Sequence, residues 1–239
     1  MATDYTTDEI MSVCIARQIA DGEMVAQGIA TPLVVAGYIL AKCTHAPNLR
    51  FPSAIGQGVC ETWAALGVAR IEELWLGRAL MSVGFVSAAA DVLPRLHPRE
   101  FFRPAQVDAA GNFNNIAFGQ DYQRPRLRLP GVGGIPDVTT TGDKVSIYLV
   151  SDLGQFDWED GHMRLLTYHA DSSIDRIRAK TGFDLRIAPD VHETPPPSAA
   201  ELYLLHEEID PLGVRKLETL GGAARRDLLR EILAKEDAL

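Results

Sequence analysis

Between Ala105 and Gly134 the chain reads AQVDAAGNFNNIAFGQDYQRPRLRLPGVGG, and this stretch gathers the side chains best suited to holding a polar ligand. Gln106, Asn112 and Asn114 supply amides that both donate and accept. Arg126 and Arg128 are alternate residues, so on an extended strand they point to one face. A guanidinium fork there pairs bidentately with phosphate or carboxylate. Gly131, Gly133 and Gly134 let the main chain approach a ligand closely or take positive φ. The same spacing also fits a hairpin at Gly111-Asn112 followed by a surface loop, with the arginines as a charged strand edge. A second candidate is the small-residue stretch Pro52 to Gly58, with Ser53, Ala54 and Gly56, which follows a short apolar run.

Other chemistries lack their signatures. No G-x-G-x-x-G or G-x-x-x-x-G-K-[ST] occurs, which leaves dinucleotide crossovers and P-loops without support. His45, His97, His162, His169, His192 and His206 are scattered with no H-x-x-x-H pair, and no metal is expected. Cys14, Cys43 and Cys60 are odd in number and without C-x-x-C spacing, so a reducing cytoplasm is the expected setting. Ser53 lacks the G-x-S-x-G elbow of a serine hydrolase. Asp157, Glu159 and Asp160 around Trp158 read as a solvated turn.

The elements that must carry these residues alternate between helix and strand. Thr6-x-x-Glu9 is a capping box, followed by Met11, Ile15 and Ile19 at helical spacing up to Asp21-Gly22. Glu23 to Gln27 suits a short strand. Thr31-Pro32 opens a helix to Cys43. Leu49 to Phe51 begins a strand that Pro52 breaks, leaving a loop where open α/β sheets bind ligands. Trp63 to Ala90 is ambiguous, with Ile71 to Leu74 its most helical part. Phe101 to Val107, Val145 to Val150 and Met163 to Tyr168 suit buried strands of the parallel kind. Ser173 to Lys180 is a helix and Asp184 to Ala188 a strand. Beyond Pro195-Pro196-Pro197 come helices over Ser198 to Ile209 and Ala223 to Lys235, the last expected to pack loosely or against a partner. The class is α/β, an open, mostly parallel sheet flanked by helices. At 239 residues, 46% hydrophobic and a net charge of −9, the chain suits a globular protein and not a non-specific nucleic-acid binder. Its longest apolar run is far short of the ~20 residues of a membrane span.

Taken together, A-Q-V-D-A-A-G-N-F-N at 105–114 and P-R-L-R-L-P-G-V-G-G at 125–134 resemble the β subunit of family I CoA-transferases of the glutaconate type. Ile15-Ala16-Arg17-Gln18-Ile19, Ala46-Pro47, Thr181-Gly182-Phe183-Asp184-Leu185 and Glu207-Glu208-Ile209-Asp210-Pro211 extend the resemblance over about residues 8 to 212. It implies a β-subunit-like domain over 1–212, with 213–239 a C-terminal helical extension. It also implies pairing with an α subunit, as a heterodimer or an α2β2 heterotetramer. The acyl-CoA would be a substrate and not a permanently bound cofactor, with neither nucleic acid nor membrane as partner.

The departure from that family decides the chemistry. Such transferases carry a glutamate nucleophile in an E-x-G element after Ala-Pro, and alignment from Pro47 and Gly56 places Ala54 there. A methyl group cannot attack a thioester, and Ser53 has no recognisable base beside it. The family's Gly-Ser-Gly-Gly is Gly131-Val132-Gly133-Gly134 here, and a Gly-Gly before Ala105 is Arg103-Pro104. A transferase-like chain without its glutamate is similar to the β subunits of bacterial steroid-ring-opening hydrolases. That similarity implies water-dependent, retro-Claisen opening of a steroid-derived cyclic β-keto acyl-CoA, with the general base on the α subunit and the Gly133 and Gly134 N–H groups as oxyanion donors. The alternative is a CoA-transferase whose nucleophile has moved.

Overall fold

The computed structural model describes residues 4–26, 31–53, 58–132 and 148–238. Ala54, Gly56, Gly133, Gly134 and the start of the Val145 strand therefore lie outside the described residues. The chain forms two compact units, Met1–Phe101 with Pro196–Leu239, and Phe102–Pro195.

The first unit begins with α1 (Thr7–Ala16), where the expected capping box is present and Glu9 accepts the Thr6 N–H at 2.8 Å. The helix stops earlier than its apolar spacing suggested. Gln18 and Ile19 bond instead to Ile15 and Ala16 in a tight turn that still buries Ile19. After β1 (Val25–Ala26), α2 (Pro32–Thr44) starts at the proline and buries every residue from Leu33 to Ala41. Helices α1 and α2 pack closely because position 37 is glycine: a Cβ there would sit 2.8 Å from Ile15 Cγ2. Burying side chains such as Ile15, Val35, Ile39 and Leu40 contributes roughly 1.5–3 kcal/mol each.

Strands β2 (Phe51–Ser53) and β3 (Gly58–Cys60) form an antiparallel pair, so Pro52 and Ser53 continue the strand that sequence alone ended before them. A proline is tolerated where the ladder does not call on its N–H. Helix α3 (Ile71–Leu76) forms where expected, and β4 (Ala79–Ser82) adds to β3. A helical stretch follows, made of α4 (Phe85–Ser87), a π turn Ala88–Val92 and α5 (Leu93–Leu96). Strand β5 (Arg99–Glu100) then pairs parallel with β1. The isolated parallel bridge between Met24 and Arg50 sets the two-stranded sheet β5-β1 beside the three-stranded sheet β2-β3-β4, on the β2 side.

The second unit opens with two short antiparallel hairpins, β6 (Gln106–Val107) with β7 (Phe113–Asn114) and β8 (Ala117–Phe118) with β9 (Leu127–Arg128). No strand runs through 101–105. The Phe101 N–H is taken by the Tyr38 hydroxyl at 3.0 Å, and Pro104 has no N–H to give a ladder. Strands β10 (Tyr148–Val150), β11 (Gly154–Glu159), β12 (His162–Tyr168) and β13 (Arg186–Glu193) make a sheet in that order, with only β12–β13 parallel. Strand β10 is thus a half-buried edge, not a buried parallel strand. The α/β class holds, with parallel ladders at β1–β5 and β12–β13 set among antiparallel hairpins. Asp160 and Gly161, both at positive φ, turn β11 into β12. Helix α6 (Ile174–Lys180), capped by Ser173, covers a core of Phe156, Met163, Leu165, Ile177 and Leu185.

The chain then returns to the first unit through α7 (Ala199–Tyr203), continued as a π turn over Leu204–Ile209. Asp210 ends that turn by accepting the Val214 and Arg215 N–H groups. Arg215 is fully buried and meets Asp8 at 2.8 Å, Glu9 at 3.1 Å and Asp210 at 2.8 Å, tying α1 to this turn. Burial works to raise the Glu9 carboxyl, but His206, the Thr6 N–H and Arg215 together hold it below the usual range. Terminal helix α8 (Gly222–Glu236) is largely exposed yet anchored. Ile232 is buried, and the Glu236 carboxylate accepts N–H groups from Val68 and Ala69 at 2.7 and 2.9 Å.

Candidate functional site

One row of residues crosses the two neighbouring sheets of the first unit. Ala26 pairs with Glu100, Pro52 with Val59, and Val59 with Met81. Carrying the parallel Met24–Arg50 register two residues on sets Ala26 beside Pro52. The row therefore runs Glu100, Ala26, Pro52, Val59, Met81. Its face follows from alternation along the strands. The Lys42 ammonium lies 5.8 Å over the Phe51 ring, and the Tyr38 and Phe101 rings are 6.3 Å apart, so Phe51 and Phe101 face α2. Pro52 and Glu100, one residue away from each, face the other side.

On that other side lies a small apolar pocket lined by Pro52, Gly58, Val59, Met81, Val83, Ala88, Val92 and Leu93. Pro52 and Gly58 flank, in sequence, the stretch that contains Ala54 and Gly56. Leu76, Leu80, Met81, Phe85 and Val86 are exposed along the same part of the chain. Ser53 ends β2.

In the second unit the polar stretch is a self-bonded ribbon. Asp108 accepts from the N–H groups of Ala110 and Asn112 and from the Asn112 amide, closing the β6–β7 turn around Gly111 at positive φ. These bonds hold the Asp108 carboxyl below its usual range, the Asn112 side chain first among them. The Asn114 amide donates to Gln106 Oε1 and the Ala117 carbonyl, while its oxygen accepts from Ile116 and Ala117. Asn115 accepts from Ala105, and its carbonyl receives the Gly131 N–H. Asn112 is thus fixed by the hairpin, and Gln106 and Asn114 are fixed by each other. Arg128 stacks 4.8 Å over Tyr122 and donates to the Tyr122 carbonyl. Arg126 is exposed, and among the described residues no ion pair engages it, so it is a cation of this ribbon open to an anion.

The histidines do not converge, and among the described residues no cluster of His, Cys, Asp and Glu suits a metal ion. His169 is buried with both ring nitrogens engaged. Its Nε2 must donate to the Ser151 carbonyl, so Nδ1 accepts from Thr194. Burial lowers its pKa and keeps this neutral tautomer. The acidic group around Trp158 is partly neutralised by Arg164, which meets Asp157 at 2.7 Å and Glu159 at 2.5 Å. Sequence reasoning missed Glu100. It is partly buried, has no hydrogen-bond partner among the described residues, and burial pushes its carboxyl up to about 7. Lying between Arg99 and Phe101, it reads as an ordinary solvated charge, and only the register shows what it sits beside.

No protein-family model matches the chain. A glutaconate CoA-transferase subunit from Acidaminococcus fermentans is 26% identical and aligns over 87% of this chain and 94% of its own length. The cholesterol ring-cleaving hydrolase IpdB subunit of Rhodococcus jostii is 26% identical over 90% of this chain and 97% of its own. Among solved structures, the decarboxylase AibA/AibB superposes with a TM-score of 0.77 at 27% identity, covering 89% of this chain and 98% of that one. The chain is family I CoA-transferase β-like. Relatives of this β-like chain carry the names of a transferase, a hydrolase and a decarboxylase, so the scaffold alone does not fix the reaction.

Proposed function

We propose that this chain is the β subunit of a hydrolase that opens a steroid-derived cyclic β-keto acyl-CoA by carbon–carbon cleavage. The observation that carries the reading is alanine at position 54, where the transferase pattern has its glutamate. The apolar side chains of Pro52, Val59 and Met81 on one face of the strands support it, since an alicyclic acyl group packs against such walls. So do the relatives named as ring-cleaving hydrolase subunits. Water adds to the ring ketone β to the thioester. The adduct collapses with its carbon–carbon electron pair moving to the α-carbon as a thioester enolate, and that carbon then takes a proton. The general base that activates water belongs to the α subunit. The exposed apolar run from Leu76 to Val86 supports such a partner, because patches of this kind mark interaction surfaces. Arg126 is the proposed anchor for an anionic group of the CoA substrate.

The test is co-expression with the α-subunit gene and assay with the CoA thioester of a cyclohexanone carboxylic acid whose ketone is β to the thioester. Ring opening appears as a product heavier by one water. The complex is expected to be active and the β chain alone inactive. Turnover by the isolated chain, or none by the complex, overturns the reading. The alternative, a transferase with a displaced nucleophile, is favoured by the near full-length match to the glutaconate CoA-transferase chain. It predicts a covalent enzyme thioester that hydroxylamine or borohydride traps after incubation with acyl-CoA.

A further inference from the structure

A carboxyl group stands at the end of the row in which Pro52, Val59 and Met81 line the apolar pocket, and nothing in the reaction so far uses it. Glu100 lies at the carboxyl end of β5, one strand from Ala26 and two from Pro52. With adjacent strands about 4.8 Å apart, its Cα is roughly 10 Å from that of Pro52 on the same face of the sheet. A glutamate side chain and a bound acyl group together span such a gap. Three neighbouring parallel strands end here, the place where open α/β sheets offer ligand sites. Pro52 is two residues before Ala54.

We propose that Glu100 is the general acid of the ring-opening reaction, delivering the proton that the substrate's α-carbon takes when the carbon–carbon bond breaks. The assignment rests on the hydrolase reading above and deepens it. As water's oxygen bonds to the ketone carbon, its proton passes to the partner's base. The broken bond's electron pair becomes the thioester enolate, and the Glu100 Oε–H protonates the α-carbon. The base then returns its proton to the Glu100 carboxylate through solvent, so the cycle consumes one water and leaves the enzyme unchanged. An enolate reprotonated inside a dry pocket needs a neutral donor, and burial without a partner keeps a carboxyl neutral near physiological pH. The charged and titratable groups around Glu100 do not oppose this. Arg99 faces the other side and is paired with Glu23 at 2.9 Å, Tyr38 on α2 is buried with its hydroxyl bonded to the Phe101 N–H, and Ala26 on β1 carries no charge.

The experiment uses the co-expressed complex, the cyclohexanone carboxyl-CoA probe and deuterium oxide. The wild-type complex should place deuterium on one face of the new methylene, with a rate that falls as pH rises through about 7. Glu100→Gln should lower kcat about 100-fold with little change in KM, lose that pH limb, and scatter deuterium over both faces, because solvent then protonates the enolate. Glu100→Asp, which keeps a carboxyl, should keep the limb. If Glu100→Gln fails to assemble, the Asp variant carries the test through the limb and the deuterium pattern. Full activity or one-sided deuteration in the Gln variant, or loss of the limb in the Asp variant, overturns the proposal while the hydrolase reading stands. A wild-type complex that does not open the probe overturns both.

Discussion

Replacing Glu100 by glutamine should make the protein more stable, and only above a certain pH. In the unfolded chain the carboxyl titrates near its ordinary value of 4.5, and in the folded chain burial pushes it up to about 7. A raised folded pKa means that the folded state binds the proton more tightly. The resulting stability is fully present below 4.5 and declines as pH rises, until it is gone above about 7. At 1.36 kcal/mol per unit, the interval corresponds to about 3 kcal/mol. Glutamine is uncharged at every pH, so Glu100→Gln escapes this loss. Urea unfolding of wild type and variant at a series of pH values between about 4 and 9 reads the difference directly. The two curves should run together at the acid end and separate by up to about 3 kcal/mol at the alkaline end, with the variant on top. A constant offset, or a wild type that gains on the variant as pH rises, would refute the claim that burial raises this carboxyl.

Arg215→Met should cost about 3–5 kcal/mol in the same assay, because it removes the one guanidinium that the buried carboxylates of Asp8, Glu9 and Asp210 share. Glu236→Ala, which leaves the Val68 and Ala69 N–H groups without acceptors, should cost about 2 kcal/mol and make α8 sensitive to limited proteolysis. Arg126→Ala should raise KM for the CoA substrate several-fold in the co-expressed complex while its melting temperature stays put, and an unchanged KM removes it from the site. Arg128→Ala, by contrast, should loosen the β8–β9 hairpin, because Arg128 is spent on Tyr122. Hydrogen exchange at Leu129, whose N–H bonds to Ile116, should then speed up.

Helices with strong punctuation were legible from sequence. The Thr6 capping box, the Thr31-Pro32 start and the Ser173 cap each fix a terminus by local hydrogen bonding, and each stands where the residues say. The strands were harder because their partners are distant. Pro52 and Ser53 read as a loop, yet pairing with Val59 and Gly58 keeps them extended. Phe101 to Val107 reads as one strand, yet a tyrosine hydroxyl from α2 takes the N–H that a ladder would use. Within the site, the amides at 106, 112 and 114 were legible as a group, but spacing does not say whether an amide faces a ligand or its own hairpin. Glu100 was illegible for a related reason: its neighbours in sequence are on the opposite face, and those that matter belong to other strands.

The neutral His169 fixes more than its own tautomer. Because Nδ1 must accept, the Thr194 hydroxyl points to it, the Thr167 hydroxyl points to Thr194, the Gln155 amide donates to Thr167, and the Tyr148 hydroxyl donates to Gln155. Each link has one permitted sense, so the side chains settle their orientations jointly, and the relay stitches both margins of the β10–β13 sheet into one cooperative body. Strands β10 and β13, though never neighbours, should therefore open to solvent together or not at all.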